Sequence, residues 1–134
     1  MSDIKFEAIN PDGWAKPTGY NNGMLYSSGS ILFIAGQIAW DKDKNLVSEQ
    51  FSLQFDQALS NVVEVAKAAG GRAENIGKLT IYVTDKQEYI AEIKAVGASY
   101  RKHMGKHFPA MALVEVKALL EPKAKVEIEA MAII

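Results

Sequence analysis

The chain contains no cysteine. That absence removes disulfides, thiolate nucleophiles and thiolate metal sites together. Arginine is nearly missing too, since Arg72 and Arg101 are the only two. Forked, bidentate recognition of a carboxylate or phosphate therefore has few possible sources. The formal net charge is −1, so neither a nucleic-acid surface nor an anionic membrane partner is expected. No apolar run is long enough to span a bilayer, and Met1–Glu7 has no charged-then-apolar leader. The expected location is the cytoplasm. Phosphate-cradling and dinucleotide-binding glycine motifs are also lacking, and neither a cofactor nor a metal is expected.

What is present reads as one globular domain over residues 1–134, with 49% hydrophobic and 23% charged residues. Residues 4–9 alternate like a short strand and end in the turn signal Asn10–Gly13. A polar, glycine-rich loop from Trp14 to Asn22 follows. Its aromatics, Trp14 and Tyr20, fit either ordinary packing or a site on a loop. Met24–Ser27 and Ile31–Ile38 predict two strands joined as a hairpin through Ser28–Ser30. Between Ser48 and Ala69 the period becomes helical, with Phe51, Phe55, Leu59, Val62, Val63 and Ala66 on one stripe. Ser48 is a candidate N-cap, Gln54 and Asp56 fall largely opposite the stripe, and Gly70–Gly71 end the helix.

Lys78–Val83 is an alternating strand. Overlapping capping boxes, Thr84 with Gln87 and Asp85 with Glu88, then open a second helix that runs to about Met104 and stops at Gly105. Tyr89, Ile93, Val96 and Tyr100 mark its buried face. Strands at Ala110–Lys117 and Ala124–Ile134 complete an α+β order of about six strands and two helices, leaving one sheet face uncovered. In the last strand Val126, Ile128, Ala130 and Ala132 should pack under the helices, while Glu127, Glu129, Met131 and Ile133 face away, with Glu115 expected to join them. That face is either solvated or meets another subunit. Glu127 and Glu129, about 6.5–7 Å apart on one strand face, suit a proton-handling pair, salt bridges or plain solvation. His103 and His107 have the spacing of two ligands on a helix, but Gly105 and Pro109 break it, and surface histidines at a helix C-terminus are the better reading. Ser27–Ser30 is read as a turn.

Three segments taken together, Ile34–Ile38, Phe108–Val116 and Lys125–Ala130, resemble the Rid/YjgF family, also known as endoribonuclease L-PSP. The resemblance covers nearly the whole chain. It implies a chorismate mutase-like fold, a mixed sheet of about six strands with two helices on one face, assembled as a homotrimer around an inner β-barrel. It also implies small-molecule clefts between subunits. Active members hydrolyse enamines and imines to ketoacids and ammonia, clamping the substrate carboxylate with an arginine after Phe-Pro-Ala.

Carried over, that arginine matches Met111, the loop tyrosine matches Tyr20, and the glutamate that orients water matches Glu127. Ala35 stands at a common serine or threonine position before Gly36, Leu113 at a frequent cysteine position, and Gly97 where an asparagine often lines the cleft. Phe108 opens the motif. A thioether has neither charge nor donor, so a carboxylate against Met111 forfeits about 1.5–3 kcal/mol of charged hydrogen bonding. Neither Arg72 nor Arg101 is an obvious substitute, and Lys117, on the Met111 face of the strand, is too distant. The resemblance therefore implies a family member that has kept the cleft for a less acidic, more apolar ligand and lost the arginine-dependent deaminase. Alternatives are an imine hydrolase using Glu127 and water on an uncharged substrate, and a non-catalytic binding or assembly module. The ribonuclease label is disfavoured by the charge balance.

Overall fold

The apolar stripe of the first helical segment forms the centre of the molecule. A computed structural model of the chain describes residues 4–134, so the reading of Met1–Asp3 lies outside the described residues. Helix α1 spans Phe51–Ala68, and all six stripe residues named above are buried. Gly70 adopts φ 89°, and its N–H and that of Gly71 donate to Lys67 O and Ala66 O. This is the left-handed stop that a glycine pair allows. Ser48 lies short of the helix, and its Oγ accepts from the Gln50 N–H instead of capping α1.

Gln54 departs from the expected polar face, being fully buried. Its Nε2 donates to Ser48 O at 2.9 Å and Lys123 O at 3.0 Å, and its Oε1 accepts from Lys125 N at 2.8 Å. One side chain thus ties the start of α1 to the segment entering the last strand, which is why a polar group is tolerated in the core.

Among the described residues six strands form, but in two sheets. β1 (Phe6–Ile9) pairs antiparallel with β2 (Gly23–Tyr26). The larger sheet has the order β3–β6–β4–β5, from Ile31–Gln37, Val126–Ile133, Ile76–Val83 and Ala110–Glu115. β4 and β5 run parallel and the other pairs antiparallel. The hairpin expected between Met24–Ser27 and Ile31–Ile38 does not form. Ser27 N–H donates to Lys5 O, whereas Ser30 exchanges hydrogen bonds with Ile134 at 2.7 and 2.8 Å. The long apolar β6 thus captures β3, and Gly29, at φ 124°, carries the chain from one sheet to the other.

The second helix is also divided. α2 covers Lys86–Ala91 and α3 covers Ile93–Met104, with Glu92 out of helical register between them. Asp85 caps α2 by accepting from Gln87 N, and Gly105 ends α3 at φ 62°. Val126, Ile128 and Ala132 are buried under the helices as expected.

Glu115 does not join the open face. The register pairs Leu79 with Met111, Ile81 with Leu113 and Val83 with Glu115, placing all three β5 residues on the helix side. There Glu115 Oε1 accepts from the backbone N–H of Lys86 at 2.9 Å. The histidines are structural rather than superficial. His107 is buried with Nε2 2.7 Å from Ile76 O, and His103 Nε2 lies 2.9 Å from Asp56 Oδ1. No helix among the described residues is long and apolar enough to cross a membrane.

Asp56 joins α1 to α3, accepting from Ser99 Oγ at 3.0 Å as well as facing His103 and Lys102. Burial pulls its carboxyl upward, but the hydrogen bonds from His103 and Ser99 and the two cations outweigh it and hold it below its ordinary value. A carboxyl depressed by folding stabilises above its unfolded-state pKa, and that contribution is lost as pH falls through the folded value. Thermal melts should therefore lose stability on acidification below about pH 4, and Asp56→Asn should flatten that acid limb. Gln54→Ala should cost about 2–4 kcal/mol in urea denaturation, because it strands three backbone groups and leaves a void.

Candidate functional site

Part of the expected site, Tyr20, Gly97, Phe108 and Met111, lies around β5, an edge strand. Pro109 forces the residue before it into extended backbone, and Ala110 begins pairing immediately afterwards. The turn before it is fixed on two sides. His107 binds Ile76 O, and the Tyr100 hydroxyl donates to His107 O at 2.7 Å. Burial pushes the Tyr100 phenol well above its usual range, so it remains a donor. The Tyr100 and Phe108 rings stack with centroids 5.4 Å apart and planes within 3°.

The loop carrying Tyr20 docks on the same turn. Asn21 donates from its backbone N to Pro109 O at 3.2 Å and from Nδ2 to Phe108 O at 2.6 Å. Asn10 receives the backbone and side-chain N–H groups of Asn22 and donates to Asn21 Oδ1. Asn10 thus holds the loop in place, and Tyr20 lines a cavity beside it.

Two cavities meet at Met111. The larger, 530 Å³, lies between the two sheets and brings Tyr20, Met24, Tyr26, Lys78 and Met131 around Met111. Tyr26 closes it by donating to Glu74 O at 2.7 Å, and burial together with the Glu74 charge pushes its phenol up to about 12. The smaller cavity, 250 Å³, lies under α3 and places Gly97, Phe108 and Met111 together with Gly19 and Arg101.

Glu127 is elsewhere within the chain. It pairs with Tyr82 across β4–β6, on the face opposite Met111. Its carboxylate lies over Gly36, in the β3 irregularity between Ile34 and Gln37, where an added Cβ would stand 2.7 Å from Glu127 Oε2. Glycine is required there by close approach. Ala35 lines a separate depression with Thr80 and Glu129, and Glu129 accepts from the Tyr82 hydroxyl at 2.7 Å. Leu113 packs against the core on the helix side. One chain therefore places Tyr20 on the larger cavity and Gly97 and Phe108 on the smaller, with Met111 common to both, and separately brings Gly36 against Glu127.

Two residues stand out, Lys78, which sequence reasoning passed over, and Arg101, which it set aside as a substitute clamp. Lys78 faces the larger cavity from β4, and Arg101 lines the smaller one. Arg101 follows Gly97 by four residues, the spacing that places both on one helix face. Trp14 is exposed and lines neither cavity. Among the described residues no cluster of histidines and carboxylates could hold a metal ion.

The endoribonuclease L-PSP family profile matches residues 14–134. A 2-iminobutanoate/2-iminopropanoate deaminase from Salmonella typhimurium is 37% identical over 108 residues, covering 78% of this chain and 80% of that protein. The human protein of the same name is 38% identical over 104 residues, covering 76% and 72%. A Rid-family protein of unknown function from Yersinia pestis superposes with a TM-score of 0.85 at 31% identity, covering 96% of this chain and 98% of that one. The YjgF gene product of Escherichia coli superposes with a TM-score of 0.66 at 30% identity, covering 94% and 92%. With the profile spanning most of its length, and with curated and structural relatives at 30% identity or above, the chain belongs to the endoribonuclease L-PSP family, the Rid/YjgF family of its structural neighbours.

Proposed function

We propose that this protein binds a small, largely apolar molecule at Met111, in a cleft shared between copies of the chain, and lacks deaminase activity that depends on an arginine at that position. The observation that carries this reading is the arrangement around Met111. Met111 stands where a guanidinium would be needed, with its thioether on the helix side among the walls of the smaller cavity, while Glu127 lies on the opposite face of the same sheet. A clamp and a water-activating carboxylate are thus not brought together within one chain.

Assembly is supported by the open face. Phe33 is 73% exposed and Ile31 60% exposed, beside Met131 and Ile133 in register. A contiguous apolar strip of this kind marks an interaction surface. A second copy placed against it would bring its own cavity wall toward Glu127, and a closed ring of three is the proposed assembly.

A second reading keeps hydrolysis. Glu127 would take a proton from water as the oxygen attacks the imine carbon and pass it to the nitrogen. The resulting carbinolamine would lose its hydroxyl proton to the amine, break its C–N bond and leave a carbonyl product and ammonia. The position of the carboxylate on Gly36, on the open face, favours this role only for an uncharged substrate, since Met111 offers an anion nothing.

The two readings separate in one assay. A dehydratase that releases 2-iminobutyrate is coupled to semicarbazide, and ketoacid formation is followed. The natural protein should leave the rate unchanged, and acceleration that disappears in Glu127→Ala would overturn the first reading, whereas Glu127-dependent hydrolysis of an uncharged imine alone would establish the second. Met111→Arg should create measurable acceleration if the cleft is otherwise intact. Sedimentation should give a trimer, and a monomer at micromolar concentration would remove the shared cleft.

A further inference from the structure

Arg101 has an unusual position for one of so few arginines. A Cβ added to Gly97 would stand 3.4 Å from Arg101 Nη1. The guanidinium therefore folds back along α3 and occupies the space that the glycine leaves vacant. That space opens onto the 250 Å³ cavity, whose walls include Phe55, Ile81, Val96, Phe108 and Met111. Among the described residues lining it, Arg101 is the single charged one.

Nearby charges do not neutralise it. Lys102 and His103, its neighbours in sequence, both turn to Asp56, and Lys125 pairs with Glu88. The Arg101 guanidinium makes no hydrogen bond or ion pair among the described residues. An unengaged guanidinium at the rim of an apolar cavity offers a fork to a planar anion while the walls take a hydrocarbon body. The cavity is smaller than those that hold drug-sized ligands, so the ligand is small.

We infer that Arg101 is the anion-recognising residue of this cavity and that its ligand is a small monocarboxylate, held with the carboxylate on α3 and the apolar body against Met111 and Phe108. This inference rests on the proposal that the Met111 cavity takes a ligand, and it supplies the charge recognition that Met111 itself cannot. It also reverses the expectation that no arginine substitutes and that the ligand is less acidic. The carboxylate is held from the helix side instead of from β5. A ligand so oriented turns its acid end away from the face that carries Glu127 in the same chain, which favours retention over hydrolysis.

The test compares phenylacetate with phenylacetamide, which share shape and differ in charge. Binding is followed by the chemical shift of the Met111 methyl group in methionine-labelled protein. The natural protein should bind phenylacetate about tenfold more tightly than the amide, the ratio expected of a charged hydrogen-bonded contact that remains partly in water. Arg101→Gln should abolish that ratio by weakening the acid far more than the amide, and an unchanged thermal melt verifies the fold, as expected because glutamine and arginine have similar helix propensities. Arg101→Lys should restore part of it, as a point charge without a fork. Added salt should weaken the acid and spare the amide. If the amide binds as tightly as the acid, or Arg101→Gln leaves the ratio intact, the inference is wrong and the cavity proposal stands. If neither probe moves the Met111 methyl, both are wrong.

Discussion

The parallel register of β5 against β4 decides the role of every residue from Ala110 to Glu115. Pairing Leu79 with Met111 sends Met111, Leu113 and Glu115 to the helix side and Ala110, Ala112 and Val114 to the open side. A slip of one residue would exchange the two sets. The register is held at the strand's entry. His107 binds the first carbonyl of β4, Tyr100 binds the carbonyl of His107, and Asn21 binds those of Phe108 and Pro109. Four side or main chains from three parts of the sequence thus converge on three residues before Ala110. The cavity at Met111 exists because that turn is immobilised, and the loop bearing Tyr20 is positioned by the same contacts.

These constraints explain which features were legible from the chain alone. The stripe of α1, the alternation of β6 and the glycine stops each depend on local periodicity or backbone freedom, and each appears in the structure. Strand pairing is different in kind. Met24–Ser27 and Ile31–Ile38 are separated by a plausible hairpin turn, yet β3 pairs with the far end of the chain. Nothing in three loop residues encodes the competition from a strand a hundred positions away. Glu115 was misplaced for a related reason. Alternation gives two faces but not which one meets the helices, and only the pairing with Val83 settles that. Gln54 and His107 looked solvent-facing because their partners are backbone groups, which leave no mark in a side-chain pattern.

The candidate site divides in the same way. Tyr20, Gly97, Phe108 and Met111 converge because they flank one turn and the helix leading into it, whereas Gly36 and Glu127 belong to the opposite face. Family resemblance ties these groups into one cleft, but a single sheet cannot present both faces to one ligand. Either copies of the chain complete the cleft or the two groups act separately. The exposed Phe33 and Ile31 favour completion, since an apolar strip beside carboxylates gains little from solvation.

Charge balance within the cavity bears on chemistry more directly than fold does. An imine hydrolase needs its cation and its water-activating carboxylate at opposite ends of one small molecule. In this chain the cation at the Met111 cavity sits on α3, over Gly97, and the strand position is a thioether. Moving a positive charge from strand to helix preserves attraction for an acid but rotates the ligand relative to everything else in the cleft. Proton transfer tolerates such displacement poorly, because a base must come within hydrogen-bonding reach of the atom it serves. Binding tolerates it well. In the proposed arrangement the guanidinium that restores recognition therefore argues against turnover, and the two properties, inseparable when one arginine serves both, become independent.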